Sequence, residues 1–149
     1  MPQFKAAAAL VAALLYWLPA GVASAEIVVT VDKAAQRLTV VVDGEYRYTW
    51  PVSTGVHPTP SGNFRPYLLS RNHRSSIFGN APMPFAIFYS GHYAIHGTTA
   101  VAQLGSRASK GCVRLHPSNA AVLFALVQRR GMAGTRIVVQ DRAQQVARR

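Results

Sequence analysis

Between Ile27 and Val52 three short runs of β-branched and aromatic residues flank an Asp43-Gly44 dipeptide. Ile27 to Val31 is wholly β-branched, and Gln36 to Val42 alternates in part. Tyr46 to Val52 sets Tyr46, Tyr48 and Trp50 on one strand face. Asp-Gly between such runs is the strongest short-range hairpin signal, because both positions of the tight turn need positive φ. The opening of the chain is thereby committed to antiparallel β structure. Pro51 has no N–H to give a ladder, so the third run sits at an edge or a strand end.

The remaining segments extend this pattern. Ser53 to Gly62 is a loop rich in proline and glycine, and Asn63 to Ser70 reads as the next strand. Arg71 to Pro84 is polar and irregular, a long loop suited either to a substrate wall or lid or to plain exposure. Phe85 to Tyr89 and Tyr93 to His96 read as strands around a Ser90-Gly91-His92 turn. Pro117 opens a helix whose apolar face is Ala120, Val122, Leu123, Leu126 and Val127. Gly131 stops it, and Arg129 and Arg130 suit its negative end. Thr135 to Gln140 is a last strand. About seven strands to one principal helix predict a mainly β domain, a β-sandwich or partly closed barrel. At 149 residues a single domain is expected.

Before the first strand stands Met-Pro-Gln-Phe-Lys5, then an uncharged stretch from Ala6 to Leu18, a Pro19–Gly21 break and Ala23-Ser24-Ala25. A basic start, a short apolar core and a small-x-small end describe a secretory signal peptide, with cleavage expected after Ala25. The competing reading is an uncleaved anchor, but the apolar stretch falls short of the about 20 residues that a spanning helix needs. The expected division is a leader, 1–25, a single folded domain, 26–141, and a basic tail, 142–149. The expected location is the periplasm or cell envelope, with no membrane span after cleavage.

Export sharpens the meaning of Cys112, the only cysteine. Structural cysteines of exported proteins come in pairs, so a lone one is either buried and inert or used. Lys110, Gly111 and Arg114 make its surroundings electropositive and open, which favours thiolate. His96, sixteen positions earlier at the end of a strand, is the best-placed base for a thiol nucleophile. His57, His73, His92 and His116 read first as surface or structural residues, with His57 and His73 retained as candidates for lining a cleft. The amides of Gly111 and Cys112 can form an oxyanion hole. Arg114 lies on the same side of an extended chain as Cys112, where its guanidinium can bind a substrate carboxylate or form an ordinary salt bridge. Ser109 and Lys110 can tune the site. No pair of histidines has helix-ligand spacing, and a lone cysteine cannot build a zinc site, so no metal is expected.

The formal net charge is +11, and Lys5 is the only charged residue of the leader. Such an excess predicts a polyanionic partner. The basic residues are scattered, with no basic run interleaved with aromatics, so an anionic envelope is expected rather than nucleic acid.

The two stretches His96-Gly97-Thr98 and Ser109-Lys110-Gly111-Cys112-Val113-Arg114-Leu115 resemble the signature of the L,D-transpeptidase (YkuD-type) family. Ser53-Thr54-Gly55, Thr59 to Phe64 and Met83 to Phe88 match it upstream in the same order, so the resemblance runs from about Ile27 to Val139. It implies a β-sandwich-like domain acting on peptidoglycan stem peptides without a cofactor. It implies Cys112 as nucleophile, His96 as base and the Gly97 carbonyl as the group that orients the imidazole. The acyl-enzyme would release D-Ala and pass to an amine, either of another stem, giving a 3→3 cross-link, or of an envelope lipoprotein lysine. Family members are inactivated by carbapenems through the same cysteine. The family often has histidine where this chain has Lys110, which is read here as a cation favouring thiolate rather than as a base. Two alternatives compete. One is a hydrolase of the same fold, an L,D-carboxypeptidase or a peptidoglycan–protein amidase. The other is a cationic wall-binding module with a dead site.

Overall fold

A computed structural model describes residues 26–142. The segments 1–25 and 143–149, and with them the signal peptide and nearly all of the basic tail, lie outside the described residues.

The strands are β1 (Ile27–Asp32), β2 (Arg37–Val42), β3 (Glu45–Pro51), β4 (Gly62–Phe64), β5 (Leu68–Arg74), β6 (Pro82–Ser90), β7 (Tyr93–Gly97), β8 (Val113–Leu115) and β9 (Thr135–Gln140), with one α-helix, α1 (Pro117–Arg130). They form two sheets, one ordered β3-β2-β1-β9-β4 and the other β5-β6-β7-β8. Both are mixed, because β1 runs parallel to β9 and β7 parallel to β8. The expected sandwich is present, and neither sheet closes into a barrel.

The β1–β3 hairpins follow from local chemistry. Asp43 and Gly44 adopt φ of 51° and 83°, as a two-residue turn with both central φ positive requires. Pro51 ends β3 at the sheet edge, where its missing N–H leaves no partner unsatisfied. A register slip between Val40 and Val41 divides the aromatic set. Trp50 and Tyr48 lie opposite buried Leu38 and Val40, but Tyr46 lies opposite Val41 and is largely exposed.

Two expectations change. The predicted strand 63–70 is two strands in different sheets: β4 pairs with β9, and β5 pairs with β6. Buried Pro66 lies between them, and its ring and missing N–H interrupt any ladder. Half of the predicted irregular segment 71–84 is strand. Only Ser75–Ala81 forms the loop, and the flanking residues pair from Leu68↔Phe88 to Arg74↔Pro82.

The core lies between the sheets and under the helix. Alternate residues of β1 and β2, namely Ile27, Val29, Val31, Leu38, Val40 and Val42, are buried against Ile87, Ile95, Val113 and Leu115 of the second sheet. The helix packs on β5, β6 and β7 and buries Ala120, Leu123, Phe124 and Val127, whereas Val122 faces solvent. The His116 ring accepts the Ser118 N–H at 3.1 Å, Pro117 occupies the first turn, and Gly131 ends the helix at φ 90°. Arg130 in its last turn reaches Asp43 at 2.7 Å, tying the helix end to the first hairpin.

Candidate active site

Along β7 side chains alternate between faces. Ile95 enters the main core, whereas Ala94 and His96 point to the opposite face. β8 continues that face: Arg114 pairs with His96, and Cys112, two residues earlier, packs against a second small cluster of Met83, Ala86, Phe88 and Ala94. Parallel pairing of two short strands therefore brings His96, Cys112 and Arg114 to one surface. They line one cavity of about 380 Å³. A smaller one of about 40 Å³, bounded by His73 and Phe88, also reaches Cys112.

His96 is buried, with 5% of its surface exposed. Its Nδ1 lies 2.7 Å from the Gly97 carbonyl oxygen. A carbonyl only accepts, so Nδ1 carries the hydrogen and Nε2 keeps its lone pair. Burial lowers the imidazole pKa to about 4, despite the opposing bond to Gly97, with Arg114 and His73 adding to the fall. His96 is thus a neutral, oriented base. Gly97 is held tightly: a Cβ there would lie 3.2 Å from Pro84 and 3.3 Å from Pro117.

Cys112 is half-buried. Its S–H donates to the His92 carbonyl at 3.8 Å. Burial raises the thiol pKa, opposed by the Ala94 backbone N–H and by Arg114. This differs from the thiolate-favouring setting expected from the flanking basic residues. The cation that acts on the sulfur is Arg114. Lys110 is exposed, and its Nζ sits over the Phe78 ring at 4.7 Å. At rest the pair is a thiol and a neutral imidazole.

The Cys112 turn is built by backbone crowding. Gly111 has φ 130°, and a Cβ there would lie 2.5 Å from the Tyr93 ring. Its N–H donates to Ser109 Oγ at 3.1 Å, so it is already engaged rather than a free oxyanion donor. Ser109 is 1% exposed, and its hydroxyl also donates to the Cys112 carbonyl at 2.5 Å. Both bonds are internal to the turn. Arg114 forms no ion pair among the described residues and faces the cavity with its guanidinium uncommitted.

Of the other histidines, His92 lines the cavity and lends its carbonyl to the thiol, and His73 reaches the smaller space. His57 is exposed, and His116 caps the helix. The Ser75–Ala81 loop and Pro82–Pro84 form one wall. Thr98, Thr99 and Ala100 form another that sequence reasoning did not identify. Their only signal is their place directly after His96-Gly97. No group of three His, Cys, Asp or Glu able to hold a metal occurs among the described residues.

The profile of the L,D-transpeptidase catalytic domain family (YkuD) matches residues 26–139. The chain belongs to this family. A Bacillus subtilis protein named as an L,D-transpeptidase, YkuD, is 30% identical over 117 residues, covering 74% of this chain and 64% of that protein. An L,D-transpeptidase from Mycobacterium smegmatis superimposes with a TM-score of 0.69 at 28% identity, over 78% of this chain and 59% of the other. The L,D-transpeptidase LdtMt1, solved in complex with imipenem, gives the same TM-score at 25% identity and the same coverage. The chain therefore spans less than two thirds of the length of these relatives. What it shares with them is the L,D-transpeptidase catalytic domain.

Proposed function

We propose that this chain is an exported cysteine acyltransferase acting on peptidoglycan stem peptides. The observation that carries the reading is the shared cavity of Cys112 and His96, with the imidazole tautomer fixed by the Gly97 carbonyl. Cys112 Sγ attacks the carbonyl of the L-centre of diaminopimelate in a tetrapeptide stem while His96 Nε2 takes the thiol proton. A C–S bond forms, the C–N bond to D-Ala breaks, and His96 returns the proton to the departing amine. An acceptor amine then attacks the thioester, loses its proton to His96 and releases the thiol. A stem amine gives a 3→3 cross-link, and a lipoprotein lysine gives an attached protein.

Because the resting pair is neutral, His96 acts as general base during attack rather than as half of a standing ion pair. The cavity-facing guanidinium of Arg114 binds a stem carboxylate through its planar fork. The leader and the net charge of +11 support action in the anionic envelope. No helix among the described residues is long and apolar enough to cross a membrane. The imipenem complex of LdtMt1 supports acylation of Cys112 by the same β-lactam.

Mass spectrometry of products tests this. Disaccharide-tetrapeptide muropeptides are incubated with the chain and with Cys112→Ala. Cross-linked dimers formed only with Cys112 intact are the expected result. Tripeptide and free D-Ala without dimer would transfer the reading to the carboxypeptidase. No acyl-enzyme with any stem or with lipoprotein-linked muropeptides would leave the wall-binding module.

A further inference from the structure

We infer that Gln36 and Thr54, outside the cavity, are positioning residues for the acyl transfer, setting the Gly111–Cys112 turn through a buried chain of hydrogen bonds. The inference rests on the functional reading above.

The chain of bonds starts in the first β-hairpin. Gln36, in the turn after β1, is 5% exposed and holds φ 51°. Its Nε2 donates to the Lys33 carbonyl at 2.7 Å and to Thr54 Oγ1 at 2.6 Å, and its Oε1 accepts the Thr54 N–H at 2.9 Å. Thr54 is wholly buried, and its carbonyl accepts the N–H groups of Ala108 at 2.9 Å and Ser109 at 3.1 Å. The Ser109 hydroxyl then grips both the Gly111 N–H and the Cys112 carbonyl. Three bonded steps thus run from the hairpin of one sheet to the nucleophile's own peptide groups in the other.

Little else holds that turn from this side. Its other contacts with residues 53–56 are two isolated bridges, Ser53↔Arg114 and Gly55↔Ser109, and the Val56 N–H bond to the Ser109 carbonyl. The backbones meet closely, since a Cβ on Gly55 would lie 2.8 Å from Gly111 Cα. A fully satisfied buried polar network is rigid, and removing one member strands the others. Stability alone does not require it, because apolar groups of the same shape can replace such pairs at little cost. Acyl transfer does require it, since the Cys112 amide, the donor left while Ser109 holds the Gly111 N–H, must meet a developing oxyanion to within about 0.5 Å.

The test separates thiol chemistry from carbonyl chemistry. Iodoacetamide alkylation needs only an accessible thiolate, whereas acylation by imipenem also needs the Cys112 amide in place. Thr54→Val removes the hydroxyl and keeps the shape, and Thr54→Ser restores the hydroxyl. The expected result is that T54V is alkylated at the wild-type rate but acylated about tenfold to a hundredfold more slowly, with T54S recovering acylation. If T54V does not fold, Gln36→Met carries the same comparison. Normal acylation in a folded variant of lowered thermal stability would overturn the inference and leave a purely structural cluster. A parallel fall in both rates, or no recovery in T54S, would also overturn it. Wild-type protein that alkylates but accepts neither imipenem nor a stem would defeat the functional reading itself, and the inference with it.

Discussion

Two of the turns that hold glycine at positive φ, at Gly44 and at Gly111, are made by different rules. At Asp43-Gly44 the turn is exposed, and a Cβ on Gly44 would find nothing within 4 Å. At Lys110-Gly111 the glycine is buried, and a Cβ would lie 2.5 Å from the Tyr93 ring and 3.6 Å from the Pro58 carbonyl. The first turn needs glycine for its own backbone. The second needs it because β7, the 53–58 loop and the Ser109 hydroxyl converge on it. A local rule writes a hairpin, and tertiary crowding writes the Cys112 turn.

The strongest way to break this comparison is Gly111→Ala. The backbone strain of a non-glycine residue there costs about 1–3 kcal/mol, and the ring contact adds to it. Relief requires moving Tyr93 or the turn, and either displaces Cys112. Acylation should fall to background, and the urea midpoint should drop with it. A variant that keeps both would show that the crowding is soft and that the two turns are alike.

The next effect is pH dependence. His96 falls from an ordinary value of 6.5 to about 4 because it is buried. The unfolded chain therefore takes up this proton before the folded one as pH falls. The stability that His96 contributes is complete above about pH 6.5 and is lost as pH approaches 4, a change of order 3 kcal/mol. The acid limb of kcat/KM for acylation should likewise lie near pH 4. A limb near 6.5 would mean that the imidazole is solvated, and the turn beside it open.

These tests reach what sequence could not show. β1 to β3, the helix and β9 were legible because each obeys a local pattern: alternation, an Asp-Gly turn, a proline first turn or a glycine stop. The split between β4 and β5 was not, because the crossing at Pro66 is decided by which sheet each half can pair with. β8 has three residues, too few for a periodicity, and exists through pairing with β7. In the site, the His96-Gly97 and Gly111-Cys112 dipeptides stood out as residue types at a spacing. The role of the His92 carbonyl and the lowered basicity of His96 depend on neighbours distant in sequence, and the engagement of the Gly111 N–H by Ser109 depends on how the turn is folded.

Lys110 sharpens the same point with a smaller effect. Its charge was expected to favour thiolate, but its Nζ lies over Phe78 on the Ser75–Ala81 loop, and Arg114 is the cation acting on the sulfur. Lys110→Ala should leave the pH dependence of Cys112 alkylation unchanged. It should cost about 0.5–1 kcal/mol of cation–π contact, felt as faster proteolysis of that loop. An upward move of the alkylation profile would restore the earlier role for Lys110.

Gly44→Ala should give the smallest effect on the Cys112 turn. Alanine at φ 83° pays only the left-handed backbone penalty, about 1 kcal/mol, because nothing obstructs its methyl group. Asp43 beside it bonds the Glu26 N–H at 3.0 Å and Arg130 at 2.7 Å, and the guanidinium holds its carboxyl below the usual range. Those bonds keep the hairpin end in place against a loss of that size. Urea titration should report the drop, while imipenem acylation and iodoacetamide alkylation of Cys112 stay at wild-type rates. The β1–β2 turn carrying Gln36 is at the other end of these strands, so slack at residue 44 must cross the length of β2 to be felt at Thr54. Slower acylation in G44A would mean that the whole hairpin, rather than the Gln36 turn alone, sets the Cys112 turn, and the division between a local turn and a crowded one would fail.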